Sequence, residues 1–311
     1  MPRVSILLTC YNHLPYLLEA WQDIQAQTFR DFEVIAVDDR STDGTRDWLK
    51  GIADQATVIL NDRNLGTFGS LNRALASASG ELVAVLNDDD RWAPEKLARQ
   101  IAAFESHPEI GLVHTGGRFI DGKGAVREGN PLGFKWPTFR TGDTGVWTGD
   151  ARLALVYENK IIASAALVRR ECFEKLGGFN PEYFGSGDWE MWFRIAEAWP
   201  VGFVADPLTD YRVHGANASH KLERIWQDDV RLRTWLAPRL DALADHFPPE
   251  DVRRAKAHNW AALGTVRTLT GDPRGGRQAY AQSLRLCPYR FKSVLRYAAT
   301  FLPRRLFRKL L

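Results

Sequence analysis

The chain has 311 residues, 45% of them apolar and 25% charged, an ordinary balance for a soluble globular protein of one large domain or two. Forty-one basic against 38 acidic residues leave a formal charge of only +3, so overall charge points to no partner; its distribution does, because no acidic residue follows Asp272. Cys10, Cys172 and Cys287 lie far apart and outside metal-ligand spacing, which excludes a disulfide framework and fits a reducing compartment. The N-terminus runs straight into a strand pattern with no signal peptide, and the apolar run Ile161 to Val168 is too short to span a bilayer. The expected location is the cytoplasm, either free or peripheral on the inner face of the cell membrane.

Val4 to Cys10 is a continuous apolar run of strand length, followed by a loop of Tyr11, Asn12 and His13. Leu14, Leu17, Leu18, Trp21 and Ile24 recur at helical spacing. Phe32 to Val37 is a second strand ending in Asp38 and Asp39, and Ser41 or Thr42 can cap the helix after it. Thr57 to Leu60 is a third strand, followed by a loop with Asn64 and Gly66 and another helix. Leu82 to Leu86 is a fourth strand, ending abruptly in Asn87, Asp88, Asp89 and Asp90 before Trp92, Pro94 and Glu95 open a helix. This alternation predicts an α/β fold with a mostly parallel sheet covered by helices on both faces.

Further on, a strand is expected near Leu112 to His114, a loop or lid over residues 121 to 150, and a strand over Ile161 to Val168. A helix closed by Gly177 and Gly178 follows, then one carrying Trp189, Trp192, Phe193 and Ile195, with Asp188 in its first turn after Gly185–Ser186–Gly187. Short strands lie between Val201 and His214. From Lys221 the sequence reads as helices over 221–246, 249–270, 273–286 and 292–311. Trp260, Leu263, Gly264, Ala279 and Pro288 look like one tetratricopeptide-type helix pair, a helical appendage rather than a solenoid.

Polar groups accumulate where the strands end: Thr9, Tyr11 and Asn12, then Asp38 and Asp39, then Asn64 and Gly66, then Asn87 to Asp90. In a parallel sheet these ends share one edge, where open α/β sheets bind ligands. Three carboxylates there repel one another unless water or a cation neutralises them. A divalent-metal site holding a phosphate-bearing substrate explains the convergence; solvated turn chemistry explains each loop singly. The first strand-to-helix turn, CYNHLPYL, has no glycine, which argues against a dinucleotide-binding fold, and no GxxxxGK[ST] loop occurs. Asp188 could simply favour the positive end of its helix.

The segments VSILLTCYN, FEVIAVDDRSTDGT, NLGTFGSLNRAL, ASGELVAVLNDDDRWAPEKL and GDWEMWFRIA resemble, in order and spacing, the successive motifs of family 2 glycosyltransferases, inverting enzymes with the GT-A fold. The resemblance runs from Val4 to about Asn217. It implies a glycosyltransferase domain over 1–220, with a donor-binding half to about 115 and an acceptor-binding half beyond, and a helical region over 221–311. It implies that Thr9 and Tyr11 lie beside the donor base, that Asp39 accepts a hydrogen bond from a uracil or thymine imide, and that Asn12, Asn64, Gly66 and Asn72 line the same donor site. Asn87, Asp88 and Asp89 fall on the family's Asp-x-Asp motif, with Asn87 departing from the first carboxylate. Asp88 is expected beside the donor and Asp89 on the metal, Mg2+ or Mn2+. Arg212 and His214 resemble a closing motif near the diphosphate, where His214 either completes the metal shell or is a surface loop histidine. Asp188 falls on the catalytic base, with Glu190 its rival.

The implied reaction moves a sugar from a UDP- or dTDP-sugar to a saccharide or lipid-linked acceptor in surface glycan synthesis. QDDVRLRTW only gestures at the Gln-x-x-Arg-Trp motif of processive members, so transfer of one or a few sugars is expected. A non-catalytic nucleotide-sugar or glycan-binding subunit and a nucleotidyltransferase are the competing readings. Tyr289 to Leu311 mixes aromatic and aliphatic residues with seven basic ones, as in a helix lying on an anionic membrane; the alternative is an apolar face packed on the appendage. No nucleic-acid-binding motif accompanies the charge, so no nucleic-acid partner is expected.

Overall fold

The computed structural model describes residues 1–127, 140–141 and 145–309. They form two compact units. The first comprises Met1–Ala151, Lys160–Tyr183 and Gly187–Asn217, and the second Arg152–Asn159, Phe184–Ser186 and Ala218–Leu311.

The first unit opens with β1 (Val4–Cys10), α1 (Leu14–Gln25), β2 (Phe32–Asp38), α2 (Thr45–Lys50), β3 (Thr57–Leu60), α3 (Gly66–Leu75) and β4 (Leu82–Asn87). Then come β5 (Arg91–Trp92), α4 (Lys96–Ser106), β6 (Leu112–Asp121), β7 (Arg140–Thr141) and β8 (Val146–Gly149). The helix α5 (Arg152–Tyr157) belongs to the second unit; β9 (Ala166–Arg169), α6 (Arg170–Leu176), α7 (Gly187–Ala198) and β10 (Val201–Val213) complete the first. Among the described residues these strands form one sheet in the order β3-β2-β1-β4-β9-β6-β10-β8-β7, with β5 added on β10.

The central strand β1 lies parallel between β2 and β4. All seven of its residues are buried, as expected of a strand covered on both faces. Leu17, Ala20, Trp21 and Ile24 turn α1 onto the sheet, and Leu97, Ile101 and Phe104 do the same for α4. β9 runs antiparallel to both β4 and β6, so the mostly parallel sheet is mixed beyond β4.

Local departures from the sequence pattern have identifiable causes. Trp92 opens no helix: Arg91 and Trp92 pair with Asp210 and Thr209 of β10, and α4 begins at Lys96. The apolar run from Ile161 is a strand only from Ala166. Before it, residues 163–165 make a 3-10 turn, and the Ile161 carbonyl accepts the Trp192 indole N–H at 3.0 Å. The segment after Val201 is one thirteen-residue strand whose register shifts around Pro207, a residue with no N–H to give a ladder. The expected lid over 121–150 lies partly outside the described residues.

The second unit is built on α8 (Leu222–Leu236), α9 (Pro249–Leu269), α10 (Pro273–Leu286), α11 (Phe291–Ala299) and α12 (Arg304–Arg308). The α9/α10 pair closes tightly because Gly264 admits the Tyr280 ring: a Cβ there would stand 2.8 Å from its Cδ2. Tyr280 Oη meets Thr265 Oγ1 at 2.7 Å. Two expected helices are interrupted by proline. α8 gives way to a 3-10 stretch containing Pro238, and the tail breaks between α11 and α12 ahead of Pro303. α5 joins this unit through the Arg233 guanidinium on the Val156 carbonyl and the Tyr157 ring beside His258. Asp228 of α8 accepts backbone N–H groups from Phe184, Gly185 and Ser186. No described helix is long and apolar enough to cross a membrane.

Candidate active site

The parallel strands deliver their carboxyl ends to one edge. Cys10 is in register with Asp38, and Thr9 with Asn87. The loops that follow are stitched together. Asn12 adopts a left-handed backbone, φ 56°, which asparagine tolerates better than most residues. Its Oδ1 accepts the Thr42 N–H at 2.7 Å, and its own N–H donates to Ser41 Oγ at 3.0 Å.

The acidic end of β4 divides into three tasks. Asp88 turns toward the first loop, accepting the Tyr11 N–H at 2.8 Å and meeting His13 Nδ1 at 3.1 Å. Asp89 turns the other way: its Oδ2 meets His214 Nε2 at 3.1 Å, with the Asn217 amide at 3.4 Å. Asp90 points inward, accepting the Ser164 hydroxyl at 2.5 Å and the Arg212 N–H at 3.1 Å. Asn87 continues the edge, its Oδ1 accepting the Thr9 hydroxyl at 3.3 Å.

Burial pushes the Asp88 carboxyl up, and burial together with the charge of Asp89 pushes Asp90 well above the usual carboxylate range. Burial works to lower His13, but the Asp88 hydrogen bond and the charges of Asp88 and Asp89 outweigh it and raise the imidazole. The crowded carboxyls of Asp88 and Asp90 therefore resist ionisation, a penalty that a nearby cation would relieve. His13, Asp89 and His214 each offer a ligand atom, all within 4.8 Å of one another, and the two imidazole rings meet edge-on at 4.8 Å. Two imidazoles and a carboxylate are a donor set that fits a divalent transition ion.

A second polar cluster forms around Asp39. Its Oδ1 accepts from Asn61 Nδ2 at 2.9 Å and the Leu65 N–H at 2.7 Å, and its Oδ2 accepts the Gly66 N–H at 2.8 Å. A carboxylate has about four lone-pair positions, so about one remains. Asn64 folds over the same corner, donating to the Asp39 carbonyl at 3.2 Å. The Tyr11 ring is exposed at this edge.

α7 is anchored to α3 by close approach. A Cβ on Gly187 would stand 2.8 Å from the Phe68 ring, two residues beyond Gly66. Asp188 follows, its Oδ1 accepting the Trp189 N–H at 2.7 Å. Glu190 is different: it is buried and paired with Arg194 Nε at 2.8 Å.

Two residues expected at the donor site spend polar atoms within the protein. The Arg212 guanidinium is 0% exposed. It donates to the Asp89 carbonyl at 2.8 Å and Glu19 Oε2 at 2.8 Å and lies over the Tyr16 ring, holding the Asp89 turn. Asn72 uses both ends of its amide on the Phe179 backbone, at 2.7 Å and 2.8 Å, and so clasps the loop before α7. His13 was not singled out in the sequence. Its signal was position: it follows β1 on the same edge as Asp89.

With this geometry in view, the comparisons with known proteins are direct. The family model of glycosyl transferase family 2 matches residues 5–177, more than half of the chain. The chain belongs to this family. An uncharacterised glycosyltransferase of Nostoc sp. is 29% identical over 229 residues, covering 69% of this chain and 66% of its own length. One of Haemophilus influenzae is 26% identical over 227 residues, covering 70% and 68%. Among solved structures, S. aureus TarS 1-349 in complex with UDP-GlcNAc superposes with a TM-score of 0.69 at 16% identity, covering 99% of this chain and 90% of that one. The mannosyltransferase PcManGT from Pyrobaculum calidifontis, in complex with GDP-Man and Mn2+, gives 0.56 at 23% identity, covering 99% and 84%. The fold is that of the GT-A glycosyltransferases.

Proposed function

We propose that this family 2 protein transfers a sugar, with inversion, from a nucleoside diphosphate sugar to an acceptor hydroxyl, using a divalent cation held by His13, Asp89 and His214. The observation that carries the reading is the convergence of that triad with the Asp39 cluster at one sheet edge. Family membership supports it, as do neighbours described with UDP-GlcNAc and with GDP-Man and Mn2+. The two imidazoles favour Mn2+ over Mg2+, which prefers an all-oxygen shell. When bound, the cation would neutralise charge on the departing diphosphate.

The remaining roles belong to the chain. The Tyr11 ring stacks on the donor base beside Thr9, and Asp39 uses its remaining lone pair for a uracil or thymine imide N–H. Asp88 fixes the loop carrying Tyr11 and His13. Asp188 takes the proton of the acceptor hydroxyl as its oxygen bonds to the anomeric carbon and the bond to the diphosphate breaks on the opposite face. Glu190 is committed to Arg194, which leaves Asp188 the better base. A saccharide or lipid-linked acceptor of surface glycan synthesis fits this chemistry.

Calorimetric titration of UDP, dTDP, GDP and CDP, with and without Mn2+, tests the donor site. UDP or dTDP should bind best, need Mn2+, and weaken at least about tenfold in both Asp89→Ala and His13→Ala. Binding indifferent to the cation and to both substitutions would overturn the metal assignment and favour a non-catalytic binding subunit.

A further inference from the structure

The second unit ends in a helix turned inside out. At about 100° per residue, Ser293, Tyr297 and Thr300 fall on one side of α11, and Phe291, Val294, Leu295 and Ala298 on the opposite side. The polar side faces the protein: Ser293 is 3% exposed and Thr300 2%. The apolar side faces outward, with Phe291 70%, Leu295 53% and, just past the helix, Phe301 68% exposed. A water-facing helix ordinarily shows the reverse pattern. Among the described residues, seven of the thirteen large apolar side chains that stand exposed lie between Tyr289 and Leu306, so the feature is a patch rather than scatter.

The patch is tethered, not loose. Ala299 and Phe307 are buried with Tyr280, Ala261 and Leu269 in the core of the second unit. Phe307 and Ala299 thus pack on the appendage, whereas Phe291 and Leu295 point away and Phe301, with Arg277 over its ring at 4.6 Å, stays largely exposed. Exposed basic residues border the outward side: Lys292 on α11, Arg305 and Lys309 at α12. No acidic residue follows Asp272 to oppose them.

We propose that α11 and α12 form a docking surface for an anionic lipid bilayer, in which Phe291, Leu295 and Phe301 enter the acyl boundary while the flanking arginines and lysines meet lipid phosphates. Charge complementarity selects this occupant. A protein groove takes an apolar helix without needing a basic frame, whereas an interfacial helix on anionic lipid needs both. The surface stands apart from the sugar-transfer reading and is tested without it.

The test is vesicle co-sedimentation of the full chain. It should pellet with phosphatidylcholine vesicles containing about one third phosphatidylglycerol, and not with phosphatidylcholine alone, and raised salt should release it. The triple variant Phe291→Ser, Leu295→Ser, Phe301→Ser should bind at least about tenfold more weakly. Its melting temperature should fall little, since Phe291 and Leu295 are exposed and Phe301 makes only a surface contact with Arg277. Lys292→Gln, Arg305→Gln, Lys309→Gln should lose the preference for anionic vesicles. Failure to pellet with anionic vesicles, or a triple variant that pellets like the parent, overturns the proposal. A parent dimer that the triple variant converts to monomer, without vesicle uptake, also overturns it by showing that a second copy covers the face.

Discussion

Around Asp89, side chains close together in sequence spend their polar atoms differently. His214 and Asn217 meet its carboxylate, whereas Arg212 grips its carbonyl from a fully buried position. Asp188 invites the same question, because a carboxylate in the first turn of a helix also answers its positive end. Asp188→Asn separates the two roles, since asparagine keeps a side-chain oxygen for the Trp189 N–H but cannot take a proton. The expected outcome is a fall in kcat of about a hundredfold or more, with nucleotide affinity unchanged. Steady-state transfer assays alongside calorimetry check it. An unchanged kcat would leave Asp188 only its role at the helix end.

At the level of elements, the site depends on α7 resting on α3. Gly187 makes that possible, and a methyl group there meets ring carbons of Phe68 2.8 Å away. Phe68 is itself buried and α3 begins on Asp39, so neither helix has an easy direction in which to yield. Gly187→Ala should cost about 1–3 kcal/mol of stability. It should also lower turnover more than donor affinity, because it displaces the turn bearing Asp188 while leaving Asp39 in place. Urea unfolding and a KM-against-kcat comparison read the two effects. Wild-type stability in this variant would mean that α7 is free to shift along α3.

For the whole molecule, acid sensitivity follows from histidines buried neutral in each unit. Burial pushes His114, stacked on Phe203 at 4.7 Å, down to about 3, and His258 down to about 4. An imidazole in an unfolded chain titrates near pH ~6.5. Between that value and about pH 4 the unfolded chain takes up protons that the folded chain refuses, so stability falls as pH drops. Each histidine contributes up to about 1.4 kcal/mol per pH unit. Asp229, pushed up to about 6 by burial, opposes this between its unfolded value and about pH 6, because its folded form holds the extra proton. His114→Phe keeps a ring against Phe203 and should flatten the pH dependence of the urea midpoint between about pH 6.5 and 4.5 by up to one histidine's share. An unaltered slope would mean that His114 titrates as if exposed.

By itself, the sequence determined the repeating strand-helix order and the edge at which the polar loops gather, because burial on both faces demands unbroken apolar runs and polar residues can only follow them. The resemblance to family motifs, each a local string, also drew Asp39, Asp89 and His214 into the expected site. What only tertiary structure decided is direction. Arg212 and His214 are two residues apart on one strand end, yet one is sealed under Asp89 and the other meets its carboxylate. His13 and Asp89 come together because β1 and β4 are neighbours in the sheet, a pairing that no local pattern encodes. The tail shows the same limit. Its residues spelled an amphipathic basic helix, but which face met the core depended on Phe307 and Ala299 finding the α9/α10 pair. Side-chain type is written residue by residue, whereas partners distant in sequence are chosen only when the core closes and each buried polar atom must find a mate.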